Sequence, residues 1–269
     1  MSKMPGARPL VMVTAYDALS ARIADSAGVD FVLVGDSAAT TVLGYTTTRD
    51  VSVAEMLMLT RAARRGTHNA KLIGDLPFGS YEQSNTQVRE TAQLFLDAGC
   101  DYIKLEGAGP MCERVHAVVQ DGIPVVGHVG LLPQGATDAS QLRARGRTAH
   151  EALQIVQDAR DLEQAGATLV VVEAVPAVVG AAVAAAVNIP VIGIGAGSDV
   201  DGQVLVYTDV LGLGDGHVPR FVRQYDHARS RWIDAIQAYV HDVHTGAFPS
   251  ASETYGMDPA ELAAFTAAL

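Results

Sequence analysis

The chain has 269 residues, is 49% hydrophobic, and carries a formal net charge of −11 with a pI near 5.1. That length suits one α/β barrel and exceeds one small β-sandwich, and the acidic balance repels phosphate backbones, which argues against a nucleic-acid partner. Only 6% of the residues are aromatic while Gly alone numbers 26, a composition that favours close helix-on-sheet packing.

From the start, Met1–Pro9 lacks the apolar run of a secretion signal. Leu10–Thr14 then reads as a first strand, followed by helical spacing over 17–27 and a second strand at Phe31–Val34. Helical spacing over 53–65 leads to a strand at Leu72–Gly74, and 84–98 leads to Tyr102–Leu105. A helix over 110–120 precedes a strand at Val125–Gly127. A helix over 149–165 precedes Leu169–Val172, and one over 176–187 precedes Val191–Ile194. An eighth, weaker strand is expected within Leu205–Leu213. Apolar runs alternating with helices predict a parallel sheet, and eight such units predict a (βα)8 TIM barrel.

Three helices are expected to stop at Ala27-Gly28, Ala98-Gly99 and Ala165-Gly166, because Gly accepts the left-handed conformation that ends a helix. Pro124 and Pro190 stand at strand entrances, where a missing N–H costs least. No composition break precedes about residue 245, so 1–248 reads as one barrel domain and 249–269 as a tail with a short helix. The two cysteines, Cys100 and Cys112, match neither a redox pair nor a zinc site and suit a reducing cytoplasm. The most apolar stretch, 174–187, is too short to span a bilayer, so no membrane role is expected.

Five consecutive strands deliver an ionisable side chain at their carboxyl ends: Asp36, with Ser37 beside it, then Asp75, Lys104 with Glu106, His128, and Glu173. That rim is where barrel enzymes build their active sites. Singly, each has an ordinary explanation. Asp36 and Asp75 could cap the helices that follow. Lys104 and Glu106, two apart on a strand, could form a structural ion pair, and His128 could be a satisfied core histidine. Glu173 follows four apolar residues and is the hardest to explain away, because an unpaired buried carboxylate is costly. Two Asp and a Glu without a coordinating Cys make an oxygen-rich site suited to Mg²⁺. A 2-oxo acid could chelate such an ion through its keto and carboxylate oxygens, the metal stabilising an enolate as a Lewis acid. Lys104 would neutralise the carboxylate and Glu173 would act as the base. The stretch Gly193-Ile194-Gly195-Ala196-Gly197 closes a strand and has Ser198 where a dinucleotide motif needs Gly, so it reads as a tight turn.

These residues carry a resemblance. Val13-Thr14-Ala15-Tyr16-Asp17, Leu33-Val34-Gly35-Asp36-Ser37, Gly74-Asp75-Leu76-Pro77-Phe78, Lys104-Leu105-Glu106-Gly107, Gly127-His128-Val129-Gly130, the Gly193–Gly197 turn and Asp201-Gly202-Gln203-Val204-Leu205-Val206 resemble the ketopantoate hydroxymethyltransferase family, over about residues 10–248. The family belongs to the phosphoenolpyruvate mutase and isocitrate lyase superfamily of (βα)8 barrels. The resemblance implies transfer of a one-carbon unit from 5,10-methylenetetrahydrofolate to 3-methyl-2-oxobutanoate, on the way to pantothenate. It implies that Asp36 and Asp75 hold Mg²⁺, with Glu106 supporting through its water shell. Ser37 and Lys104 would contact the substrate carboxylate, Glu173 would be the general base, and His128 would hydrogen-bond near the new hydroxyl. A homo-oligomer, commonly a decamer, is implied as well.

The chain departs from the family pattern in the connection 135–147, where only Gly146-Arg147 fit and where Arg143 and Arg145 are added. Leu132-Pro133-Gln134 stands where Thr-Pro-Gln is usual. The N-terminus is short and the ending differs. These departures leave open a paralogue with the same aldol-type chemistry on another 2-oxo acid. An isocitrate-lyase-type activity is disfavoured because Cys112 lacks the Lys-Lys-Cys-Gly-His setting. A non-catalytic scaffold is disfavoured because no metal or base position is lost.

Overall fold

Runs that are apolar on both faces become strands buried on both faces, and here they close on themselves. The computed structural model describes residues 8–216 and 218–269. Its eight strands are β1 Leu10–Thr14, β2 Phe31–Val34, β3 Lys71–Asp75, β4 Tyr102–Lys104, β5 Val125–Gly130, β6 Leu169–Glu173, β7 Val191–Ile194 and β8 Gly202–Leu205. All pair in parallel in chain order, and β8 returns to β1, so the sheet is a closed (βα)8 barrel. Most of the expectation for Met1–Pro9 falls outside the described residues.

Ten helices accompany the strands among the described residues: α1 Ala18–Ser26, α2 Ala38–Thr41, α3 Val53–Arg64, α4 Asn85–Asp97, α5 Met111–Gln120, α6 Ala149–Gln164, α7 Ala177–Ala186, α8 Tyr207–Leu211, α9 Ala228–Thr245 and α10 Pro259–Ala268. Their starts follow from side chains that satisfy free N–H groups. Asp17 caps α1 through the amide of Ser20, and Ser52 forms a reciprocal capping box with Glu55 at α3. Gly28, Gly99 and Gly166 adopt φ of 82°, 102° and 100°, the conformation the three Ala-Gly stops require. On α4, Val88, Thr91, Ala92 and Phe95 recur at helical spacing and face inward.

The eighth strand departs from expectation. It lies at Gly202–Leu205, and the residues expected to continue it form α8, ended by Gly212 at φ 62°. The apolar run Val206–Leu213 was ambiguous in period, whereas Gly202 is required in β8 by proximity. A Cβ there would sit 2.5 Å from the Leu10 carbonyl oxygen. The long α9 also has no counterpart among the expected elements. Beyond Ala228 it is exposed throughout, with Trp232, Ile233 and Ile236 facing solvent, so no buried face marked it.

The core has two parts. Between sheet and helices lies a large apolar layer, and inside the barrel a separate plug contains Met12, Phe31, Leu33, Ile73, Val171, Ile192, Ile194 and Val204 among others. At the amino end of the barrel, Asp25 of α1 locks the connection into β3. Its carboxylate accepts from the amides of His68, Asn69 and Ala70 at 3.1, 2.8 and 2.8 Å, and from the Asn69 side chain at 2.9 Å. Burial opposes its ionisation, but these donors prevail and lower its pKa to about 2. Cys100 and Cys112 are both free thiols. Among the described residues, no helix is long and apolar enough to cross a membrane.

Candidate active site

Parallel register sets the carboxyl ends of neighbouring strands level with one another. Asp75 of β3 stands opposite Lys104 of β4, and Gly130 of β5 opposite Glu173 of β6. Asp36, Ser37, Asp75, Lys104, Glu106, His128 and Glu173 therefore line one cavity of about 110 Å³, whose floor includes Leu33, Val171, Ile194 and Val204. All seven residues expected to hold the metal, bind the substrate or act as the base meet there.

The polar contacts form a chain across the rim. The Lys104 ammonium donates to both Asp75 oxygens at 2.8 and 2.9 Å, while Glu106 Oε1 lies at a looser 3.8 Å. The Asp36 amide donates to Asp75 Oδ2 at 3.1 Å. His128 stands between two carboxylates, with Nδ1 3.3 Å from Glu106 Oε1 and Nε2 3.2 Å from Glu173 Oε2. Neither histidine contact has the alignment of a hydrogen bond, so both are ion-pair contacts. Ser37 Oγ lies 2.7 Å from the hydroxyl of Tyr16.

Two expectations are corrected. Their strand-end position predicts that Asp36 and Asp75 face solvent, but they do not: they are only 5% and 1% exposed. Nor do they cap helices, since α2 begins after Ser37 with no side-chain cap and the first helical residue after Asp75 in α4 is Asn85. Lys104 is 4% exposed and already engaged with Asp75, so its charge is shared with that carboxylate.

Burying so many charges shifts them. Burial, then the charges of Asp75 and Glu106, push the Asp36 pKa well up, and burial raises Asp75 against the pull of Lys104. Burial disfavours the Lys104 cation, yet Asp75, Glu106 and Asp36 together raise its pKa. Burial and Lys104 likewise oppose protonation of His128, but Glu106 and Glu173 outweigh them and lift it to about 9. Burial raises Glu106, and contacts with His128, Lys104 and the Gln134 amide bring it below its ordinary value.

Several supporting residues lie outside the set read from the sequence. The buried Gln134 donates its amide to Glu106 Oε2 at 3.0 Å, and its side chain bridges the Tyr81 hydroxyl and the Leu76 carbonyl at 2.6 and 2.9 Å. Thr48 and Pro133 reach the cavity from connections. Tyr16 stands within one of the family-like motifs, and Pro133 and Gln134 keep the usual residues of a tripeptide altered only at Leu132, which is the available clue. Ala174, following Glu173, is the one non-glycine residue at positive φ (48°) among the described residues. Its amide is held by the Ile194 carbonyl at 2.8 Å. Strain of this kind survives where its surroundings over-determine it, and it recurs beside functional groups.

The oxygen-rich donor set fits a hard divalent cation. Asp36 Oδ2 and Glu106 Oε1 are buried without a hydrogen-bond partner, and four carboxylates face two cations in the cavity. Among the described residues, no three His, Cys, Asp or Glu side chains form a ready-made cage. Mg²⁺ needs none, since it commonly takes one or two protein carboxylates and keeps its waters.

A closed parallel barrel with a charged, buried cavity at its carboxyl rim defines a (βα)8-barrel enzyme. Similar folds occur in phosphoenolpyruvate phosphomutase from Streptomyces platensis subsp. rosaceus (TM-score 0.60, 13% identity, covering 98% of this chain and 92% of that one). Another is 2,3-dimethylmalate lyase, a phosphoenolpyruvate mutase and isocitrate lyase superfamily member (TM-score 0.57, 17% identity, 95% and 88%). The family model for ketopantoate hydroxymethyltransferase matches residues 1–251. The 3-methyl-2-oxobutanoate hydroxymethyltransferase of Nitratidesulfovibrio vulgaris (strain DP4) is 45% identical over 271 aligned positions, covering 99% of this chain and 87% of that one. The chain belongs to the ketopantoate hydroxymethyltransferase family.

Proposed function

We propose that this enzyme transfers a one-carbon unit from 5,10-methylenetetrahydrofolate to 3-methyl-2-oxobutanoate, giving 2-dehydropantoate for pantothenate synthesis, with Mg²⁺ as its metal. The observation that carries the reading is the convergence of Asp36, Ser37, Asp75, Lys104, Glu106, His128 and Glu173 on one small cavity. Its 110 Å³ corresponds to about four water molecules at roughly 30 Å³ each. A five-carbon oxo acid is of that scale and a pterin is not, so the acceptor enters the cavity and the folate works from its mouth.

Asp36 and Asp75 would hold the ion, with Glu106 behind them. When bound, Mg²⁺ supplies Lewis acidity toward the keto and carboxylate oxygens of a 2-oxo acid. Lys104 adds positive charge on the carboxylate side, and Ser37, steadied by Tyr16, offers a hydroxyl to the same group. Glu173, its side chain 17% exposed, is the most accessible carboxylate of the set and removes the proton from the carbon beside the ketone. His128, charged and set against Glu173 Oε2, fixes that carboxylate and faces the new hydroxyl. The carbon so activated bonds to the donor's methylene carbon as one of that carbon's two C–N bonds breaks. Water displaces the second nitrogen to leave the hydroxyl, and the two freed nitrogens take up the proton removed from the acceptor and one from the water as tetrahydrofolate leaves.

The connection 135–147 bears on the choice of acceptor. None of its residues lines the cavity, and Arg143 and Arg147 are exposed. The changed residues thus lie outside the acceptor's surroundings, which favours 3-methyl-2-oxobutanoate over another oxo acid. The same reading carries a cytoplasmic homo-oligomer, a decamer by family likeness. The apolar side chains of α9 offer surface for assembly, and sedimentation of the purified chain tests it.

The decisive experiment follows 3-methyl-2-oxobutanoate in D₂O with enzyme and Mg²⁺, then adds 5,10-methylenetetrahydrofolate. Deuterium should enter at the carbon beside the ketone before any donor is present, and 2-dehydropantoate should form afterwards. An enzyme that exchanges another oxo acid but not this one would transfer the assignment to that acid.

A further inference from the structure

The cavity mouth is bordered by Thr48, from the connection after β2, and by Pro133, from the connection after β5. Arg49, next to Thr48, joins the two. Its guanidinium donates to the Gln134 carbonyl at 2.8 Å and lies over the Phe78 ring, 3.5 Å from its centroid. Phe78 belongs to the connection after β3, so one cation draws three rim connections together. No carboxylate pairs with Arg49 among the described residues. Its charge is spent on a carbonyl dipole and an aromatic face, both of which a planar guanidinium suits.

Two observations give this arrangement a consequence for the reaction. Much of the segment 40–46 is exposed, and the Arg49 bond is the one side-chain hydrogen bond from 42–50 to another rim connection among the described residues. The residue it grips is also the one whose amide holds Glu106 Oε2 and whose side chain is fixed by Tyr81 and Leu76. Releasing the Gln134 carbonyl would thus loosen both the mouth and the seat of Glu106.

We propose that Arg49 is a positioning residue, a latch that holds the β2 and β5 connections together across the cavity mouth and keeps Glu106 seated through Gln134. Its effect on turnover rests on the reading of this cavity as a 2-oxo acid site, whereas its effect on the rim does not. Opening the latch weakens retention of the small acceptor more than it slows the chemistry.

The test compares Arg49→Leu, which removes both contacts, with Arg49→Lys, which keeps a donor but not the flat stacking. Amide hydrogen exchange is measured on the ligand-free enzyme over 44–50 and 132–136, and kcat and KM are measured for 3-methyl-2-oxobutanoate. Arg49→Leu should speed exchange in both segments and raise KM about tenfold, the scale of one hydrogen bond from a charged donor, with a smaller fall in kcat. Arg49→Lys should fall between the leucine variant and the parent. Unchanged protection in both segments overturns the latch, and lost protection with parental KM and kcat reduces Arg49 to a structural tie. If the parent enzyme fails to act on the oxo acid, the functional reading falls separately, and amide exchange still decides the latch.

Discussion

Asp25 allows stability and catalysis to be separated along the barrel axis. It sits at the amino end, remote from the carboxyl rim, and four N–H donors lower its pKa from 3.8 to about 2. Nearly two pH units at about 1.4 kcal/mol each correspond to at most roughly 2.5 kcal/mol of stability from its ionised form. Because the folded pKa lies below the unfolded one, that contribution is complete above pH 3.8 and is lost as pH falls through about 2. In Asp25→Asn one oxygen remains, but an NH₂ group now faces the amides of the β3 connection. The variant should lose about 2 kcal/mol at pH 7, or roughly 4–8 °C in Tm for a domain of this size. Urea unfolding of parent and variant at pH 7, 4.5 and 3 gives the test: the gap should shrink toward acid, and kcat per folded molecule should not change. A gap that is constant with pH, or below about 0.5 kcal/mol, would refute the assignment of this stability to the carboxylate's charge.

Glu173→Gln should retain acceptor and metal binding while proton exchange beside the ketone falls about 10²- to 10⁴-fold, read by NMR in D₂O. Near-parental exchange would place the base elsewhere, with His128 next in line. Asp36→Asn should abolish Mg²⁺ binding in calorimetry. It should leave the metal-free fold no less stable, because it relieves a carboxylate that burial, Asp75 and Glu106 already disfavour. His128 keeps its proton well above its ordinary 6.5 and loses it as pH rises through about 9, so exchange should decline above about pH 9 as its hold on Glu173 lapses. A profile flat to pH 10 would remove the imidazolium from that role.

Much of this molecule was legible in its sequence because buried strands and their ends are local signals. β1, β2 and β7 fall on the expected residues, since each is a short, largely apolar run entered from a proline (Pro9, Pro190) or an aspartate (Asp30). The charged strand ends were conspicuous for the same reason: packing gives no cause for charge there. What stayed hidden depends on proximity in three dimensions. The need for glycine at 202 shows only once Leu10 is seen beside it. Gln134, Tyr81 and Arg49 come from connections without periodicity, and their partners are 28, 53 and 85 positions away. The burial of Asp36 and Asp75 is likewise a property of the closed barrel, which strand-end position alone does not reveal.

The plug inside the barrel has a further implication for how such an enzyme can diversify. Leu33, Val171, Ile194 and Val204 belong both to that plug and to the cavity floor. Carving room for a bulkier acceptor from below would hollow the barrel itself, at about 2–5 kcal/mol for a single Leu- or Ile-to-Ala change. A fold whose whole margin is about 5–15 kcal/mol can absorb few such changes. New acceptor preferences are therefore accessible mainly from above, by redrawing the connections around the mouth, and laboratory selections for altered scope should enrich changes there while the floor stays fixed.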